Sequence, residues 1–129
     1  MTVRVLVVDD QRPFRVAASA VLRTTPGFEL VGEAGSGEEA LDQVAALAPD
    51  LVLMDISMPG MGGVEATRRL TALPTHPVVF FCSTYAASDL PADAAEAGAA
   101  AYLSKADLGA ELLARLWSDA RADGAATTA

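Results

Sequence analysis

Three short stretches of the chain are apolar with little interruption: VRVLVV (3–8), DLVLMD (50–55) and PVVFFC (77–82). A strand with one wet face alternates apolar and polar residues. A continuous apolar run predicts instead a strand covered on both faces, as in a parallel sheet. FELVGE (28–33) and AAYL (100–103) are two further segments of strand length. Between and after them the apolar spacing becomes helical, near 13–24, 37–47, 63–72, 89–97 and 108–121. Five strand–helix units with short connections predict an α/β fold, a doubly wound sheet in a three-layer α/β/α sandwich. Right-handed crossovers leave few topologies, and the flavodoxin-like order 2-1-3-4-5 suits this length. In such a sheet ligands bind outside the carboxyl ends of the strands, beside the first one.

Local signals agree with these elements. Ser36 with Glu39 three residues on forms a capping box for the second helix, and Pro49 follows its end. Asp107 is the expected N-cap of the last helix, and Gly98 the expected end of the one before it. The first 121 residues read as one domain, and ADGAATTA (122–129) as a flexible tail or linker start without periodicity. GSGEEA (35–40) matches a dinucleotide-binding fingerprint. However, it follows the second strand rather than the first, and Glu38 and Glu39 would repel a pyrophosphate at the helix start. His76 stands in a proline-flanked loop with no nucleophile to serve, and Trp117 with the leucines of ELLARLW has core-facing helical spacing.

Composition narrows the function. In 129 residues, 52% hydrophobic content supports a real core. A net charge of −8 argues against direct nucleic-acid binding, which needs clustered Lys and Arg. The single cysteine, Cys82, precludes an internal disulfide, and no Cys/His cluster offers a zinc site. Neither a secretory signal nor an apolar run of about 18 residues is present, so a cytoplasmic chain without membrane contact is expected.

The chemistry collects at the carboxyl edge. The first strand ends in Asp9 and Asp10, the third in Asp55, the fourth in Cys82, Ser83 and Thr84, and the fifth is followed by Lys105. Adjacent strands lie about 5 Å apart, so these ends share one small site. Paired carboxylates resist joint ionisation unless a cation sits between them. Two or three carboxylates with waters suit Mg²⁺, or Mn²⁺ in its place. An aspartate beside that cation is able to attack phosphorus, while Lys105 and the Ser83 hydroxyl offset charge on the phosphoryl oxygens.

VLVVDDQRPFR, LVLMDISMPGMGGVE, FFCSTYA and GAAAYLSKADL stand in this order and at these separations. On them the chain, from residue 3 to about 121, resembles a receiver domain of bacterial two-component response regulators, of the NarL/LuxR type. The resemblance implies that Asp55 is the phosphoacceptor. It implies metal ligation by Asp9, Asp10, Asp55 and the Ser57 backbone carbonyl. Ser83 and Tyr102 would be the switch residues, Lys105 the phosphate-binding lysine, and Ser57 and Tyr85 would tune hydrolysis. A cognate histidine kinase is the implied phosphoryl donor, and the face of the fourth helix, fifth strand and fifth helix the implied output. Further implied partners are a second copy of the chain and a C-terminal DNA-binding output domain outside it.

The chain departs from the family pattern at several positions. Ala106 stands where many receivers have proline after the lysine, and a cis bond to it would cost about 2.5–4 kcal/mol. Gly62 replaces a polar helix cap, and Thr84 a smaller residue beside the switch hydroxyl. Counting back from Lys105 selects Ser83 as that hydroxyl, and counting forward from Pro77 selects Cys82; Ser is the stronger donor. One alternative is a haloacid-dehalogenase-like Mg²⁺-dependent phosphatase, although Ser57 occupies the place of its second acid. Others are an FMN-binding flavodoxin-like protein, which would want a Ser/Thr-rich loop after the first strand, and a degenerate receiver serving as a phosphorylation-independent interaction module. On the main reading the chain is not an enzyme beyond its own phosphorylation and dephosphorylation.

Overall fold

The computed structural model describes residues 2–84 and 90–128. Strands β1 (Val3–Val8), β2 (Phe28–Ala34), β3 (Leu51–Met54), β4 (Val78–Ser83) and β5 (Ala101–Ser104) form one sheet in the order 2-1-3-4-5. All four strand pairings are parallel. Helices α1 (Arg12–Arg23), α2 (Gly37–Leu47), α3 (Gly62–Thr71) and α4 (Ala110–Thr128) cover it.

Strand pleating sends alternate side chains of each apolar run to opposite faces, which yields two separate cores. Val5, Val7, Leu51, Leu53, Phe80 and Cys82 pack with Ala18 and Leu22 of α1 and Leu113 of α4. Leu6, Val8, Val52, Met54, Val79 and Phe81 pack with Val44 of α2 and Ala66 and Leu70 of α3. Both faces are therefore dry, as continuous apolar runs require.

Three local features differ from the sequence-based expectation. The stretch expected as a helix over 89–97 forms, in its described part, a run of turns from 92 to 98, with i→i−3 bonds from Ala94 to Pro91, Glu96 to Asp93 and Ala97 to Ala94. Its two fully buried residues, Ala94 and Ala97, lie three apart and bury little area, so a tighter coil satisfies them as well as an α-helix. Gly98 (φ +101°) ends the run, and the Thr71 hydroxyl donates to the Ala97 carbonyl at 2.8 Å. Asp107 is not the N-cap of α4. It closes a 3₁₀ turn, Lys105–Asp107, that Ser104 caps through the Ala106 N–H, and the helix starts at Ala110. No cis peptide occurs among the described residues, so Ala106 sits in that turn with an ordinary trans bond. Helical backbone continues through residue 121 to Thr128. The Ser36 hydroxyl accepts from the Glu39 N–H at 3.1 Å, as the capping box requires.

Candidate functional site: an acidic pocket at the carboxyl edge of the sheet

Topology assembles the pocket. β1 and β3 are neighbours with Val8 paired to Met54, so the residues that follow, Asp9 and Asp55, emerge side by side. The Asp55 N–H donates to the Val8 carbonyl at 2.9 Å, and the Asp9 N–H to Ala34 at 3.0 Å, fixing both to the strand ends. Ser83 and Ser104 are paired across β4 and β5, which puts Ser83 and Lys105 on the other flank. Below Asp55, α3 approaches so closely that a Cβ on Gly63 would lie 1.8 Å from the Asp55 carbonyl oxygen. Only glycine fits there.

Asp10, Asp55, Ser57, Ser83, Thr84 and Lys105 line a cleft of about 170 Å³. One carboxylate oxygen each from Asp9, Asp10 and Asp55 lies within 4.8 Å of the others. Asp9 is fully buried, Asp55 nearly so, and Asp10 is exposed. The Asp9 Oδ1 accepts from the Gln11 N–H at 2.8 Å. Its Oδ2 pairs with the Lys105 ammonium at 2.5 Å, whereas Asp55 Oδ2 is 3.8 Å from that ammonium. Lys105 Nζ also lies 4.6 Å from the centre of the Phe14 ring, a cation–π contact.

Burial pushes the Asp55 carboxyl up to about 6. The Asp9 charge adds to the rise, Lys105 and the Ser57 N–H oppose it, and Asp10 adds a smaller push. An ordinary loop acid would not show this. Three oxygen donors this close match a small divalent cation, whose opposed ligands sit about 4 Å apart, so a slight contraction would suffice. The residues present thus fit the metal that the sequence implies.

The structure brings Asp9, Asp10, Asp55, Ser57, Ser83 and Lys105 to one place. Cys82 points into the core beneath α1, where burial raises its thiol to about 12, whereas Ser83 lines the cleft together with Ser57 and Thr84. Tyr102 does not line the cleft; it is half-buried against the core on the α2–α3 face. Tyr85 lies outside the described residues. Sequence reasoning overlooked Phe14, Arg15 and Gly63. The first turn of α1 follows β1 after a short link, so its side chains overhang the strand end, and that geometry was available as a signal.

A five-stranded sheet in this order, with three acids and a lysine at its carboxyl edge, defines the receiver class. The sequence matches the Response regulator receiver domain family over residues 5–116, and the chain belongs to that family. It is 42% identical over 103 residues to the response regulator UvrY of Escherichia coli O157:H7, covering 80% of this chain and 47% of that one. The chain thus spans about half the length of this curated relative. The receiver domain of the putative response regulator NarL from Mycobacterium tuberculosis superposes with a TM-score of 0.82 at 32% identity, covering 93% of this chain and 97% of that one. A structure of the P1 domain of CheA3 in complex with CheY6 from R. sphaeroides contains a chain matching with a TM-score of 0.76 at 35% identity, over 93% of this chain and 97% of that chain. No helix among the described residues is long and apolar enough to cross a membrane.

Proposed function

We propose that this receiver accepts a phosphoryl group on Asp55 from a cognate histidine kinase, with Mg²⁺ held by Asp9, Asp10, Asp55 and the Ser57 carbonyl. The observation that carries this reading is the buried Asp55 carboxylate facing two further acids and the Lys105 ammonium in one cleft. When bound, the cation would neutralise the acids and the transferring phosphoryl oxygens. The Asp55 oxygen attacks phosphorus, the bond from phosphorus to the donor nitrogen breaks, and an acyl phosphate remains on Asp55. The complex of CheA3 P1 with CheY6 is in keeping with a donor of this kind.

The new group carries close to two negative charges and three acceptor oxygens. Lys105, held at Asp9 and only 3.8 Å from Asp55, needs a small swing to reach it. The Ser83 hydroxyl donates to the phosphate, Tyr102 turns inward, and the face of segment 90–98, β5 and α4 changes shape. That face controls dimerisation or an output domain, transcriptional in regulators of this type, in the cytoplasm. Ser57 and Tyr85 tune the lifetime of the phosphate.

Intact-protein mass after incubation with acetyl phosphate tests the reading. One added phosphoryl group is expected, dependent on Mg²⁺ and lost in Asp55→Ala. Addition that survives Asp55→Ala would exclude Asp55 as acceptor, and no addition to the wild-type chain would mean either that the site demands its kinase or that the chain is a phosphorylation-independent interaction module.

A further inference from the structure

Asp9 and Asp10 share a peptide bond that lies just beyond the last ladder pair of β1. Its environment is unusually well defined for a loop. The Asp9 carbonyl accepts from Arg15 Nη1 at 2.7 Å, and the same guanidinium donates through Nε to Glu33 Oε1 at 3.1 Å. Glu33 belongs to β2 and is adjacent to Ala34, whose carbonyl takes the Asp9 N–H. Asp9 is thus gripped through its N–H by β2 and through its carbonyl by α1.

Asp10 has no such help. Its side chain is exposed, and no hydrogen bond among the described residues holds it, so the place of its backbone limits where its short side chain can put a carboxylate oxygen, here within 4.8 Å of those of Asp9 and Asp55. We infer that Arg15 is a positioning residue of the acidic pocket: by fixing the Asp9–Asp10 peptide plane it holds the Asp10 backbone where its carboxylate is within reach of the bound cation. The inference rests on the proposed Mg²⁺ reading of that pocket. A planar fork reaches two acceptors in fixed directions, which an ammonium does not. Glu33 neutralises the guanidinium, so the pocket meets a hydrogen-bond donor and not a rival cation.

Partners that orient metal ligands typically change affinity 10–100-fold when removed. Isothermal calorimetry with MgCl₂ alone tests this on the wild-type chain, Arg15→Gln, Arg15→Lys and Glu33→Gln, each checked for fold by circular dichroism. Arg15→Gln is expected to weaken Mg²⁺ binding about tenfold at unchanged stoichiometry. Arg15→Lys and Glu33→Gln, which keep the charge or the carbonyl bond respectively, are expected to weaken it a few-fold. A folded Arg15→Gln protein with wild-type affinity, even if less heat-stable, overturns the inference and leaves the Mg²⁺ reading standing. Should Arg15→Gln not fold, wild-type affinity in both remaining variants overturns it equally. A wild-type chain that takes up no Mg²⁺ removes the reading and the inference together.

Discussion

Burial of the Asp55 carboxyl, with Asp9 beside it, makes ionisation costly in the metal-free protein. Its folded value of about 6 lies above the ordinary 3.8, so between these values the folded chain binds more protons than the unfolded one. Stability therefore falls as pH rises through this window, and the penalty is complete above about 6. That difference corresponds to an upper bound of about 3 kcal/mol. In EDTA, Asp55→Asn should raise stability at pH 7.5 by up to that amount, and the gain should vanish near pH 3.5; urea melts at both pH values check it. A gain that is the same at both pH values would contradict an electrostatic origin. The places of Asp9, Asp10, Asp55 and Lys105 were legible in the sequence because each stands within two residues of a strand end, and parallel strands end at one edge. Phe14 and Arg15 were not, because their contacts with Lys105 and Asp9 depend on how the first turn of α1 leans over that edge.

Among the elements, strands were the most legible, since long apolar side chains must leave water and a parallel sheet offers two dry faces. Segment 90–98 was not, because alanine fits a helix and a turn alike and Ala94 and Ala97 anchor weakly. Beyond its packing on the core, α3 contributes two polar contacts: the Thr71 hydroxyl on Ala97 and Arg68 at 3.6 Å from Asp93. The end of α2 contains a strain that sequence alone conceals. Ala48 takes a left-handed conformation (φ 47°, ψ 58°), while Arg4 donates to the Leu47 and Ala48 carbonyls at 2.8 and 2.9 Å. The arginine satisfies carbonyls that a helix end leaves open. Glycine adopts this conformation freely, whereas a Cβ costs about 1–2 kcal/mol, partly offset by glycine's larger unfolded-state entropy. Ala48→Gly is thus expected to stabilise the chain by roughly 0.5–1 kcal/mol, read as a higher urea midpoint at constant slope.

At the scale of the whole molecule, the pocket joins parts that are far apart in sequence. Asp9 and Asp10 follow β1, Asp55 follows β3 and Lys105 follows β5, so an unfolded chain has no comparable site. A cation held there binds the folded state alone and must stabilise all of it. At a Mg²⁺ concentration ten times the dissociation constant, mass action adds about 1.4 kcal/mol. That amount raises the melting temperature by several degrees in a domain of this size. The increase should keep growing with the logarithm of Mg²⁺ concentration and should be larger than that from matched Na⁺, which only screens. Asp10→Asn separates binding from folding, because Asp10 is exposed and supports no packing. This variant should melt near the wild-type temperature in EDTA and gain much less from Mg²⁺. An equal Mg²⁺ gain in both proteins, followed by calorimetric scanning, would mean that the cation binds elsewhere and that the paired acids after β1 serve another purpose.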